Sequence, residues 1–294
     1  MNSNSNDKMD LINFNWSEYW INNYSGINHK SKEDLVDFWD KFSENYAKHI
    51  LTNENLNGDI KRNVEKFKEI FKLDKNTTIL EIGPGPGTYT IPLAKIVKNI
   101  TVIEPSTGMS EILLKRAKEE NIDNITVINK RWDDVELHKD FEKHDLVFSS
   151  YSLVVENMGE SLLKMNESKN KYCGILTFGN LPVHKDIYVK IGDLLNIENT
   201  KKGDFGLNYI LINNILNQYE IYANINIHEK SFCQYFNNVE EAFKKYKSGY
   251  TKTRDLELSE NQINDIKELL EGILTKTEDG WTYNTESKEA FLWW

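Results

Sequence analysis

ILEIGPGPGTYT, residues 79–90, decides the fold. A short apolar run, Ile79 to Ile82, breaks into three glycines at alternate positions, Gly83, Gly85 and Gly87, with prolines between them. So short an apolar run, ending in glycine, is what a parallel strand buried on both faces needs. Residues 87–97 then carry apolar side chains at helical spacing, so the glycines mark a strand-to-helix junction. Glycine is required there because the backbone turns sharply and must come close to whatever sits at the strand's end.

The same rhythm continues outward. NITVIEP (99–105), NITVINK (124–130), DLVFSS (145–150) and YCGILTFG (172–179) read as four further strands. Met109, Ile112, Leu113 and Ala117 mark a helix between the second and third. Strands alternating with helices imply an α/β fold with a doubly wound, mostly parallel sheet. Upstream, Leu35, Phe38, Trp39, Phe42 and Tyr46 fall on one face of a helix that starts near Ser31. Ile60, Val64, Phe67 and Phe71 predict a second helix over 57–72. Both precede the first strand, so residues 11–75 are expected to form a helical cap, behind a solvated tail at 1–10. Downstream, the pattern predicts a helix over 205–219 and an alternating strand over 221–232. Helices over 238–247 and 259–275 and a terminal strand over 288–294 follow. Ser259 and Gln262 stand at capping-box spacing.

Composition narrows the function. With 39% hydrophobic and 12% aromatic residues the 294-residue chain is globular, not disordered. Thirty-six Lys and Arg against 46 Asp and Glu give a net charge of −10, which counts against a nucleic-acid partner, since gripping a phosphate backbone usually takes a basic face. Cys173 and Cys233 lie far apart, so a disulfide scaffold and a cysteine-built zinc site drop out and a reducing cytoplasm fits. No apolar run approaches the ~18 residues of a membrane span. The start, MNSNSNDKMD, lacks the basic head and apolar region of a secretory signal. A cytoplasmic protein with no membrane partner is expected. No His, Asp and Glu cluster has metal-ligand spacing, so no metal is expected.

Glu104 closes the second strand 21 residues after Gly83. An acid at about 20 residues beyond a glycine turn accepts hydrogen bonds from ribose hydroxyls, so a nucleoside is expected here. A nicotinamide-dependent oxidoreductase is disfavoured twice. GPGPG replaces GxGxxG, and the Glu81 carboxylate would repel a pyrophosphate but suit a cation.

ILEIGPGPGTYT, VIEPSTGM, KRWDDV and HDLVFSSYSLVV together resemble successive motifs of class I S-adenosylmethionine-dependent methyltransferases, over about residues 31–180. The resemblance implies a Rossmann-like sheet of about seven strands, with residues 76–294 as the cofactor-binding core and antiparallel strands at its end. It implies S-adenosylmethionine as cofactor and methyl transfer by in-line displacement. Glu81, Gly83, Gly85 and Gly87 would surround the amino-acid end and ribose, and Glu104 would hold the ribose hydroxyls. Pro105 and Ser106 would lie beside the adenine, Trp132 along its ring, and Asp133 or its neighbour Asp134 at its amino group. Arg131-Trp132 stands where many members have a Gly-Asp pair. Ser149, Ser150 and Tyr151 would open the methyl-transfer site after the fourth strand. FWDKFSENYAKH (38–49) is similar to a segment that folds over the cofactor, with Trp39 and Tyr46 as the matching candidates. The same stripe also reads as a helix's core face.

Tyr151 is then the candidate for positioning the acceptor, and His184 in GNLPVHKD a candidate auxiliary base. His138 and His144 look solvated. The expected acceptor is a small molecule, with no nucleic acid. A methyltransferase acting on protein or RNA, and the oxidoreductase, are the alternatives, and oligomeric state is not readable.

Overall fold

A computed structural model of the chain describes residues 14–23, 32–51, 54–179, 185–197, 208–254, 257–278 and 280–294. Three helices come first: α1 (Trp16–Asn23), α2 (Lys32–Leu51) and α3 (Glu54–Phe71). The alternating part follows as β1 (Thr78–Ile82), α4 (Thr90–Ala94), β2 (Asn99–Ile103), α5 (Thr107–Glu119), β3 (Ile125–Ile128), β4 (His144–Ser150), α6 (Met158–Ser168) and β5 (Lys169–Phe178). The last third holds α7 (Lys185–Leu194), α8 (Tyr209–Gln218), β6 (Asn224–Phe236), α9 (Val239–Arg254), α10 (Glu260–Ile273), β7 (Thr275–Thr277) and β8 (Gly280–Trp293).

The strand order is β3-β2-β1-β4-β5-β8-β6, with β7 paired to β8, eight strands in all. β1 through β5 pair in parallel, and Ile79 lies level with Ile100 on one side and Leu146 on the other. Cys173 and Trp294 exchange both backbone hydrogen bonds, the signature of an antiparallel pair. The α/β doubly wound sheet is therefore as the sequence predicts, and the one strand beyond seven is the three-residue β7.

Two compact units make up the chain. The first contains residues up to Thr177, Tyr209–Asn226 and Phe291–Trp294. The helices α1, α2 and α3, within the expected cap over 11–75, belong to it. Its core joins Ile79, Ile100, Val102, Leu146 and Phe148 of the strands to Phe67 and Phe71 of α3, Leu113 of α5 and Phe291 of β8. α3 docks here because its apolar residues recur at four, three and four positions, which keeps them on one stripe. The second unit, Phe178–Asn208 and Ile227–Ala290, has its own core of Ile187, Ile191, Phe243, Tyr246, Ile266 and Leu270. The capping box at Ser259 and Gln262 forms at the start of α10.

Three local readings are corrected. The helix predicted over 87–97 is only Thr90–Ala94, because the glycine turn extends to Tyr89. The aromatic stripe of α2 is not its buried face: Ser43 and Ala47 are buried, Trp39, Phe42 and Tyr46 are half-buried and Phe38 is exposed. The cause is a close approach to α5, where a Cβ on Gly108 would stand 2.6 Å from Ser43 Oγ and 3.2 Å from the Asp40 carbonyl oxygen. His144, read as solvated, is buried at the start of β4, where its ring meets the Glu142 carbonyl at 2.7 Å and Thr101 Oγ1 at 2.9 Å. Burial holds its pKa below the usual histidine value. His138 is exposed, as expected, beside Glu142.

Two glycines make the backbone argument measurable. Gly83 has φ +63°, and a Cβ there would stand 2.5 Å from Ser152 Cβ. Gly58 lies exposed in α3 with nothing within 4 Å of its Cβ position. Gly83→Ala is expected to destabilise the protein by about 1–3 kcal/mol or more, from backbone strain and overlap. Gly58→Ala should stabilise it by about 0.5–1 kcal/mol, the helix preference of alanine over glycine. Chemical denaturation of the two variants beside the parent measures both signs.

Candidate functional site

The carboxyl ends of β1 and β2 converge on the glycine turn. Gly83, Gly85 and Gly87 all have positive φ, at +63°, +55° and +79°, a conformation that side-chain-bearing residues rarely adopt. They differ in what surrounds them. Cβ atoms on Gly83 and Gly87 would press against Ser152 and Leu113, so these two glycines allow close packing beneath the turn. A Cβ on Gly85 would meet nothing nearer than Met109 Sδ and Tyr46 Cε1, both at 4.0 Å. The open space lies over Gly85.

Glu104 fastens this turn. One carboxylate oxygen accepts the Gly85 N–H at 2.9 Å and the other accepts the Ser106 N–H at 2.9 Å. It is 6% exposed, and burial pushes its pKa up against the two backbone hydrogen bonds, with the Asp40 charge adding the smallest contribution. Glu81 is 1% exposed and accepts the Thr90 hydroxyl at 2.7 Å. Burial is the main cause that raises its pKa to about 7, with the Glu104 charge adding to it. Among the described residues no ion pair reaches Glu81, Glu104 or Asp40. Tyr46 on α2 lies against the same group: burial first, then the Glu104 charge, raise its phenol pKa. Trp39 packs edge-on to Tyr46 with centroids 5.4 Å apart.

The structure thus brings together Glu81, Gly85, Glu104 and Tyr46, with Trp39 behind. Pro105 is half-buried next to them. Ser106 has another task than the one expected, since it is 0% exposed and its hydroxyl is engaged. It donates to Asp40 Oδ1 at 2.6 Å and accepts the Met109 N–H at 3.2 Å, capping α5. Ser149 is likewise buried, its hydroxyl 2.8 Å from that of Ser152, which bonds the Ile82 carbonyl. Ser150 and Tyr151 are half-buried on the turn after β4. Tyr151 has φ +55°, and its N–H donates to the Leu176 carbonyl at 2.9 Å.

Trp132 is buried in a 3-10 turn (Trp132–Asp134), tilted against Phe141 at 6.0 Å, and its indole N–H has no partner among the described residues. Lys164 of α6 lies 4.8 Å from the Trp132 ring centroid and donates to the carbonyls of Trp132, Asp133 and Val135. Asp133 pairs with Arg131 at 2.6 Å. His184 lies outside the described residues. Among them no group of three or more His, Cys, Asp and Glu is placed to hold a metal, and no helix is long and apolar enough to cross a membrane.

Asp40, Thr90, Ser152 and Lys164 were not found by sequence reasoning. Only Thr90 had a signal, its place inside the glycine motif, nine residues after Glu81.

Known proteins show the same architecture and chemistry. A family model for ribosomal RNA adenine dimethylase matches residues 39–212. An uncharacterized protein of Haemophilus influenzae is 23% identical over 97% of this chain and 98% of its own. A probable ribosomal RNA small subunit methyltransferase A of Methanosphaera stadtmanae is 33% identical over 120 residues, 41% of this chain and 40% of that protein. The chain therefore spans less than half the length of that methyltransferase relative. In fold, magnesium protoporphyrin IX methyltransferase from Synechocystis, solved with bound S-adenosylhomocysteine, superposes with a TM-score of 0.50 at 11% identity, covering 89% of this chain and 99% of its own.

These findings overturn one expectation, a small-molecule acceptor with no nucleic acid. Net charge describes the whole surface, whereas a phosphate backbone needs only a local basic stretch. The protein is an S-adenosylmethionine-dependent methyltransferase of class I. With more than half of its length matched, the chain belongs to the ribosomal RNA adenine dimethylase family.

Proposed function

We propose that this chain methylates the exocyclic amino group of adenine in RNA, with small-subunit ribosomal RNA as the substrate. The observation that carries the reading is the family match over residues 39–212, which takes in the α2 aromatics, the glycine turn, Glu104 and the turn after β4. Relatives named as ribosomal RNA small subunit methyltransferases support the same substrate.

The residues fit the cofactor. Gly85 leaves open the space that a Cβ would enter, and among the described residues the two buried carboxylates beside it have no cationic partner. Glu104 would take the ribose hydroxyls on lone pairs left by its two backbone bonds. Glu81 would face the cationic amino-acid end, with Trp39 and Tyr46 above. Trp132 and Asp133 would lie along the adenine, the unpartnered indole N–H supplying a donor. Gly83 and Gly87 shape the turn, and Ser149 and Ser106 brace it without touching the ligand.

When bound, S-adenosylmethionine supplies a methyl group already activated on a sulfonium. The chain must then hold an amine in line behind the carbon–sulfur bond. The adenine amine is a poor nucleophile because its lone pair is delocalised into the ring. Acceptors on its two N–H groups localise that pair, and the Ser150 hydroxyl and the carbonyls of Ser150 and Tyr151 would supply them. The left-handed backbone at Tyr151 costs about 1–3 kcal/mol, a strain typical of positions where geometry serves a site. No base is required before transfer, since the methylated ammonium is acidic and loses its proton to water. The target base must leave its stack to reach such a turn.

The direct test incubates the protein and S-adenosylmethionine with a small-subunit ribosomal RNA transcript and measures N6-methylated adenosine by mass spectrometry after digestion. Cofactor binding without any N6-methylated adenosine would overturn the substrate assignment. Gly85→Val is expected to abolish cofactor binding, because a branched side chain fills the open space in a left-handed turn. Glu104→Ala should weaken it by about 1.5–3 kcal/mol, the range for hydrogen bonds to a charged group. Calorimetric titration reads both.

Glu81 sets a pH dependence. Its folded pKa near 7 exceeds the unfolded value of 4.5, so the folded protein holds more protons between those values. Stability is thus greatest below about pH 4.5 as far as this group is concerned, and falls by roughly 3 kcal/mol as pH rises through 7. Cofactor cation favours ionised Glu81, so affinity should rise with pH up to about 7. Glu81→Gln keeps the Thr90 hydrogen bond and is expected to flatten both profiles.

A further inference from the structure

We infer that Asp40 is a positioning residue for the cofactor, seating the aromatic helix α2 over Gly85 by holding the start of α5. The inference rests on the cofactor placement proposed above.

Asp40 makes two bonds with a single oxygen. Oδ1 accepts the Ser106 hydroxyl at 2.6 Å and the Gly108 N–H at 3.0 Å, so it serves the unpaired donors at the N-terminus of α5 from another helix. Its own carbonyl accepts the Ser43 hydroxyl at 2.8 Å, and Gly108 allows both residues to sit against α5. Ser106 is the bridge: its hydroxyl goes to Asp40 and its N–H to Glu104. One residue therefore separates the group that anchors α2 from the group assigned to the ribose. Tyr46 lies on the same helix, with Cε1 4.0 Å from the Cβ position of Gly85. Tyr46 and Trp39 are only half-buried, so side-chain packing alone does not fix where they sit. Asp40 supplies a fixed polar point for the helix that carries them.

The charge matters as well as the geometry. Glu104 is faced by Asp40 and Tyr46 from α2 and by Glu81 from β1, and the Asp40 charge favours its protonated form. An asparagine at position 40 keeps an oxygen for both hydrogen bonds and removes that charge. The two roles can thus be separated.

The experiment titrates the full chain with S-adenosylhomocysteine by calorimetry from about pH 5 to 8, alongside hydrogen exchange over residues 32–51. Asp40→Ala is expected to weaken binding about tenfold or more near pH 7.5 and to speed exchange in α2. Asp40→Asn, which keeps an oxygen for both hydrogen bonds, should bind within about threefold of the parent there. If Asp40→Ala does not fold, Asp40→Asn alone decides. Parent-like affinity and α2 exchange in Asp40→Ala would overturn the inference. So would Asp40→Asn losing as much affinity as the alanine variant. Failure of the parent to bind would overturn the cofactor placement and the inference with it.

Discussion

A single buried carboxylate holds the site together. Glu104 directly follows β2, and its two oxygens accept the N–H groups of Gly85, in the turn after β1, and of Ser106, the residue before α5. Without such an acceptor, both N–H groups would be left unpaired in a buried place, at about 1–3 kcal/mol each. Position 85 lies in a left-handed turn that the chain does not favour by itself. The carboxylate thus defines the turn before any ligand arrives, and the sheet register, which sets Glu81 level with Val102, brings the second carboxylate alongside.

Most of this arrangement was legible because it rests on residue types with narrow uses. Alternating glycines after an apolar run have few explanations other than a turn with positive φ, and an acid at the end of the next strand reports its own position by spacing. The sheet core was legible for the same reason, since Ile79, Val102 and Leu146 read as strands without ambiguity. The α2 helix was not. Its aromatics dominate a periodicity argument, yet the residues it buries are Ser43 and Ala47, which carry little hydrophobic signal. What seats the helix is a pair of hydrogen bonds that Asp40 accepts from Ser106 and Gly108 at the start of α5, more than sixty residues away, and an aspartate in a helix has no sequence mark for such a partner.

Net charge misled for a comparable reason. A value of −10 sums over the whole surface, and acidic residues on one face cancel the arithmetic of lysines on another. The same sum hides that some acids are not on the surface at all. Glu81 is buried with its pKa raised to about 7, so near neutral pH it carries less than the full charge that the count gives it. A count of formal charge overstates the repulsion that an RNA backbone would feel.

Those internal acids bear on which cofactor the site prefers. Glu81 and Glu104 are buried with raised pKa values, and Asp40 adds a third carboxylate one residue removed, with no lysine or arginine pairing any of them among the described residues. Hydrogen bonds from Thr90, Gly85, Ser106 and Gly108 stabilise these groups in part, but neutral donors do not cancel charge. Such a pocket is electrostatically incomplete until a cation enters. S-adenosylmethionine carries a sulfonium and an ammonium, and its demethylated product keeps only the ammonium. Buried carboxylates act at lower effective dielectric than surface ones, so the lost charge weakens attraction more here than it would in water. On the placement proposed for the cofactor, methyl transfer would remove one of the two positive charges that these carboxylates face, which would favour release of the product.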